Sequence, residues 1–370
     1  MSDIPKLHAL GQSIWYDNIQ RKLLENGYLS GLIASGDIRG VTSNPSIFHA
    51  AITKSSDYDA ALEPLAQKGL SAEEIFYELA VEDIRNAADL FQNLYQETDA
   101  LDGYVSIEVS PYLAKDEQGT VAEALRLWQW IDRPNICIKI PATQEGIGAI
   151  RAAIAAGINV NVTLIFSLER YADVIEAYLS GLEDRVAQGL PVNHIASVAS
   201  FFVSRVDSSV DSLLDAIAQQ AGPNAAKAQS LKGKAAIANA RLAYNLFKDK
   251  FFTERFEKLQ AHGARVQRPL WASTSTKNPQ YRDVIYVEEL IGPYTVNTMP
   301  PQTLDAFRDH GKAALTVDVP REESQAVIND LQSLGISMSQ VTEQLEIDGV
   351  KAFSDAFTSL LTSLEERAQR

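Results

Sequence analysis

Lys139 stands inside an otherwise apolar run, Ile136–Thr143 (ICIKIPAT), and a lysine so placed can do covalent chemistry. Burying an ammonium group is costly unless it is paired or neutralised. Desolvation favours the neutral amine, which is the nucleophile that forms a Schiff base with a carbonyl. The segment alone also admits a structural lysine held by a carboxylate such as Glu108. Other apolar runs carry polar residues toward their ends: Asp17 in SIWYD, Asn44 in GVTSN, Glu108 in SIEVS, Asn161 and Thr163 in NVNVT, Ser200 and Arg205 in ASFFVSR. Each alone has an ordinary account, Asp17 or Asn44 as a helix cap and Thr163 as a strand threonine. Together they are what a catalytic centre built on several strand ends requires.

The runs that carry these residues read as strands: Tyr104–Val109, Ile136–Ile140, Val160–Phe166 and Ile195–Val203, with weaker signals at Ser13–Tyr16, Gly40–Ser43, Val266–Trp271 and Thr295–Thr298. Alternation turns Lys139 away from Ile138 and Ile140, toward a helix layer or a barrel interior. Between the strands the pattern is helical. Ser71 and Glu74 form a capping box, followed by Ile75, Leu79, Ile84, Ala88, Phe91 and Tyr95 on roughly one face. Leu168–Leu190 and Ala225–Phe252 carry similar patterns. Eight strands alternating with helices predict an α/β fold, a (β/α)8 TIM barrel, with extra helices in the long gaps at 44–103 and 204–264. Residues 1–310 are expected to form the barrel. Residues 311–370 are expected to form a helical C-terminal segment packed on the same domain, through Glu322–Leu334 and Val350–Ala368.

Composition narrows the function. With 33 basic and 48 acidic side chains the net charge is −15, which speaks against nucleic-acid or anionic-membrane binding. The lone cysteine, Cys137, excludes an internal disulfide framework and a cysteine zinc site and fits a reducing cytoplasm. The five histidines are far apart and suggest no metal site. MSDIPKLHALGQSIW has no basic region leading into an apolar stretch, and no run reaches the roughly 18 apolar residues of a spanning helix, so an unexported chain is expected. Gly146-Ile-Gly148 lacks the third glycine of a dinucleotide loop, because position 151 is arginine, and reads as a helix start. Cys137 shares a face with Lys139 and reads as core, and Trp128 and Trp130 read as helix packing.

GVTSNPSIF, SIEVS, ICIKIPAT, INVNVTLIFS, SFFVSRVDSSVD, RPLWASTSTKNPQY and TVNTMPPQTLDAF resemble, in order, the successive motifs of the transaldolase family over about the first 310 residues. The chain length and the WASTSTKNP form are similar to the branch found in actinobacteria and similar bacteria. The resemblance implies an (α/β)8 barrel and cofactor-free transfer of a dihydroxyacetone unit between sugar phosphates in the non-oxidative pentose phosphate pathway. It implies Lys139 as the imine-forming residue and Asp17 as the base for the C4 hydroxyl. Glu108 and Thr163 would position a proton-shuttling water. Asn44, Asn161 and Ser200 would bind donor hydroxyls with Phe202 as an apolar wall, and Arg205 would grip phosphate. The commoner pattern has a second phosphate arginine in the seventh-strand motif, where this chain offers Lys277, a point charge without the bidentate fork. Ser204 stands where glycine is frequent. A simple class I aldolase acting on fructose 6-phosphate is the competing reading, and a non-enzymatic phosphosugar-binding barrel a remote one. Monomer and homodimer are both compatible with the sequence.

Overall fold

The computed structural model describes residues 2–220 and 222–369. Eight parallel strands close a barrel in chain order: β1 (Gln12–Asp17), β2 (Gly40–Thr42), β3 (Tyr104–Glu108), β4 (Ile136–Pro141), β5 (Val160–Ile165), β6 (Ser197–Phe202), β7 (Arg268–Ala272) and β8 (Thr295–Met299). Closure is made by β1 pairing with β8, from Gln12 opposite Thr295 to Tyr16 opposite Met299. All eight expected strands are present. Each is buried over its length except at Asp17, the last residue of β1, as strands flanked by helices must be, and this is why they read as apolar runs rather than alternating ones.

The surrounding helices follow their capping signals. Ser71 and Glu74 make the reciprocal capping box that starts Ala72–Leu90, and Thr143 caps Gln144–Ala155 by accepting from Gly146 N at 3.0 Å. Two boundaries differ from the expected ones. Ala225–Phe252 is two helices, Ala225–Leu231 and Ala235–Phe251, broken where Gly233 takes a φ of +71° that few other residues tolerate. The last helix begins at Met338, twelve residues before the expected start, and runs 31 residues to Ala368. It packs on helices Pro45–Thr53 and Ala72–Leu90, where Phe357 meets Phe76 edge to face at 5.4 Å. No helix among the described residues is long and apolar enough to cross a membrane.

The N-terminal end of the barrel is held by a buried ionic network. Asp102, fully buried, accepts from Ser13 Oγ at 2.9 Å, from Arg268 Nη1 at 3.0 Å and from Arg39 Nη1 at 3.2 Å. Burial alone would raise its pKa, but Arg268 and these hydrogen bonds outweigh that and hold it below the ordinary value. Above this layer the Trp15 indole fills the space beside Gly40, where a Cβ would lie 2.8 Å from the ring. Asp102→Ala should cost about 3–5 kcal/mol of unfolding free energy, because Arg268 is left as an uncompensated buried charge. Urea unfolding checks this, and a loss under about 1 kcal/mol would mean that the network is only surface decoration.

Candidate functional site

At the C-terminal ends of the strands lies a cavity of about 250 Å³, lined among others by Asp17, Asn44, Lys139, Thr163, Ser200 and Arg205. These residues reach it from separate elements. Asp17 closes β1, and Lys139, Thr163, Ser200 and Phe202 are inward positions of β4, β5 and β6. Asn44 is the N-cap of Pro45–Thr53, and Arg205 is the second residue of the helix Ser204–Gln219. Lys277 enters from the loop after β7. Of the two directions open to Lys139, the structure shows the barrel interior.

Lys139 Nζ donates to the Ser43 carbonyl at 2.8 Å and lies 3.6 Å from Glu108 Oε2. The register explains the pairing, since Glu108 stands directly opposite Lys139 across β3 and β4. Burial drives the Glu108 pKa up to about 7, against the lowering influence of Lys139. Asp17 Oδ1 accepts from Thr42 Oγ1 at 2.6 Å, and Thr42 Oγ1 is also 2.6 Å from Thr298 Oγ1. Desolvation raises the Asp17 pKa, with Thr42, Lys139 and Lys277 opposing.

Asn44 uses Oδ1 to cap its helix at Ile47 N, 3.0 Å away, which leaves its Nδ2 donors for the cavity. Ser200 Oγ donates to Asn161 Oδ1 at 2.7 Å, and Asn161 Nδ2 donates to Ser106 Oγ at 3.1 Å. Asn161 is thus fully buried behind Ser200 and outside the cavity lining, as is Glu108 on the side away from it. Thr163 Oγ1 and Glu108 Oε2 are buried without a hydrogen-bond partner among the described residues. After Thr163 the β5 register shifts, and Leu164 takes a left-handed φ of 60°, a strained conformation that ends the regular ladder at the cavity rim.

The Arg205 guanidinium sits 5.3 Å from the Phe202 ring centroid and makes no ion pair among the described residues. Desolvation lowers the pKa of Lys277, and the nearby Arg205 charge lowers it further. Lys277 Nζ donates to Ser275 Oγ at 2.6 Å. Three cations and one carboxylate therefore line this cavity in a chain of net charge −15, which makes it a local trap for anions.

The sequence reading missed the wall contributed by the last helix. The Phe353 ring lies 5.8 Å from Lys139 Nζ and lines the cavity. Its only signal was its place in the C-terminal helical pattern, with nothing to aim it at the barrel mouth. Thr42 and Thr298 were also missed, though both are polar ends of strands, the signal that marked Asp17 and Asn44. Cys137 is buried and its thiol pKa is raised by burial, which leaves it an inert core residue.

The site thus sets an amine inside a parallel barrel beside a carboxylate, with a separate pair of basic side chains in the same cavity. The chain matches the family model described as transaldolase/fructose-6-phosphate aldolase over residues 14–364, and it belongs to that family. It is 47% identical to a transaldolase of Trichodesmium erythraeum over 99% of this chain and 97% of that protein. A transaldolase of Mycolicibacterium smegmatis is 46% identical over 98% of this chain and 96% of its own length, and one of Thermobifida fusca 48% over 99% and 98%.

The raised Glu108 pKa carries a stability consequence. A carboxyl whose folded pKa lies above its unfolded value stabilises fully below the unfolded pKa, about 4.3, and loses that contribution as pH rises through the folded value near 7. Glu108→Gln should match the parent near pH 4 and exceed it by about 3 kcal/mol above pH 7, from 1.36 kcal/mol per pKa unit. Chemical denaturation of both proteins across pH 4–8 measures this, and parallel stability curves would refute the raised pKa.

Proposed function

We propose that this protein is a transaldolase, transferring a dihydroxyacetone unit from fructose 6-phosphate or sedoheptulose 7-phosphate to glyceraldehyde 3-phosphate or erythrose 4-phosphate in the pentose phosphate pathway. The observation that carries the reading is buried Lys139, backed by Glu108 at 3.6 Å, sharing one cavity with Asp17, Arg205 and Lys277. Lys139, as the free amine, adds to the ketose C2 carbonyl. The carbinolamine loses its hydroxyl as water to give the imine. Glu108, with a pKa near neutrality, and Thr163 hold the water that moves protons in this step, a role suited to their two partnerless oxygens. Asp17 takes the C4 hydroxyl proton as the C3–C4 bond breaks, and the electron pair passes into the imine. The aldose phosphate departs. The resulting enamine attacks the acceptor aldehyde, Asp17 returns the proton, and water releases the new ketose.

Asn44 donates to donor hydroxyls and Ser200 accepts from one. Asn161 acts through Ser200 by fixing its rotamer, rather than touching sugar. Phe202 and Phe353 are apolar walls that keep bulk water from the imine, and Arg205 and Lys277 take the phosphate. Residues 1–310 and 311–370 act as one folded unit in this reading, since Phe353 belongs to the latter.

Borohydride added with fructose 6-phosphate should fix a reduced three-carbon unit on Lys139 alone, read by peptide mass analysis. Lys139→Ala should fold and lose essentially all transfer. Label on another lysine, or none, overturns the imine assignment. With erythrose 4-phosphate as acceptor, sedoheptulose 7-phosphate and glyceraldehyde 3-phosphate should form, and dihydroxyacetone as the main product would make the protein a simple aldolase instead.

Arg205→Ala should raise KM for phosphorylated acceptors by about ten- to a hundred-and-fifty-fold, the equivalent of a charge-assisted bond of roughly 1.5–3 kcal/mol, and leave unphosphorylated glyceraldehyde nearly unaffected. Lys277→Ala should do the same more mildly. Equal effects on both acceptor types would remove Lys277 from the phosphate site.

A further inference from the structure

The barrel has a second chamber at its opposite, N-terminal end. Its volume, about 250 Å³, equals that of the catalytic cavity. It is lined by segments that precede β3, β6, β7 and β8 and reaches into the barrel as far as Trp15, Cys137 and Val198. Barrel interiors are normally filled by side chains, so an open chamber at this level is a departure that needs a reason.

The lining chemistry is one-sided. Trp15, Tyr104, Phe251 and Phe256 supply aromatic surface. At the rim, Phe252 and Tyr294 are 57% and 46% exposed and stand 6.0 Å apart, an uncovered apolar entrance. Two arginines line the chamber, Arg265 paired with Asp99 and Arg268 with Asp102, and neither carboxylate is part of the lining. Arg268 is 6% exposed and spends Nη1 on Asp102 and the Leu101 carbonyl, and Nη2 on Ser13 and the Thr295 carbonyl, yet its Nε has no partner. The Trp15 indole Nε1, on a side chain with no exposure, has none either. Both orphan atoms are donors, and none of the buried orphan acceptors belongs to a lining residue. Buried donors left unpaired are costly, and a mostly apolar chamber with a few polar groups is the form ligand sites take.

We propose that this chamber binds a small planar aromatic carboxylate, its ring among the aromatic walls and its oxygens accepting from Trp15 Nε1 and Arg268 Nε. Trp15, Cys137 and Val198 each precede a residue of the catalytic cavity by two positions on the same strand face, namely Asp17, Lys139 and Ser200. An occupant thus rests on the layer directly beneath the chemistry.

The test titrates 2-naphthoate, and its neutral counterpart 2-naphthalenemethanol, into the full chain by calorimetry and by nitrogen–proton spectra of the tryptophan indoles. The expected result is one saturable naphthoate site per chain that shifts the Trp15 indole signal and persists with fructose 6-phosphate at saturation. The alcohol should bind about ten-fold more weakly, and Trp15→Phe, which removes the donor and keeps a ring, should weaken naphthoate about five-fold. Should Trp15→Phe not fold, Phe252→Ser at the exposed rim must weaken naphthoate instead. Absence of saturable binding at millimolar naphthoate, displacement by fructose 6-phosphate, or equal affinity for acid and alcohol each overturns the proposal. Because the chamber is separate from the catalytic mouth, these outcomes leave the transaldolase reading untouched.

Discussion

An ammonium-bearing side chain inside a protein must be given partners or give up its proton, and the mouth of this barrel is arranged around that necessity. Lys139 has one hydrogen bond, to the Ser43 carbonyl, one carboxylate at 3.6 Å, and an aromatic face at 5.8 Å. That is enough company to tolerate the charge and too little to hold it firmly. Glu108 opposite it is raised toward neutrality by its own burial, against the lowering influence of Lys139. The strand register that sets them opposite one another also places Asn161 next to Lys139 on the other side, and Asn161 in turn orients Ser200. Hydrogen bonding thus spreads outward from one unfavourable burial.

Charge works on a larger scale as well. The chain as a whole is acidic, with 48 acidic residues against 33 basic, yet the cavity at the C-terminal end of its barrel gathers Lys139, Arg205 and Lys277 around a single lining carboxylate. The concave patch of basic side chains concentrates a positive field within an otherwise acidic chain.

Much of this was legible in the sequence because parallel strands buried on both faces are forced to be apolar, so any polar residue in them stands out. Lys139, Asp17, Glu108, Thr163 and Ser200 were visible for that reason. What was hidden depended on geometry that residue type does not encode. The apolar period of Ala225–Phe252 runs straight across the break at Gly233. The first turns of the last helix bury only Val341, Thr342 and Gly349 before residue 350, too few for a stripe. Asn161 and Ser200 looked alike as polar residues of strands, and only the register, which sets Asn161 opposite Val198, puts it a layer below Ser200. Leu164 carries no mark of its left-handed backbone, since the strain is imposed by the bulge around it.

The last helix bears on how the site comes into being. Phe353 lies more than two hundred residues beyond the lysine it covers, and past the last barrel strand, which ends at Met299. The segment that carries it follows all eight strands in the order of synthesis. During synthesis all eight strands are therefore made before Phe353 can cover Lys139, and the cavity gains its last wall only when the final helix docks.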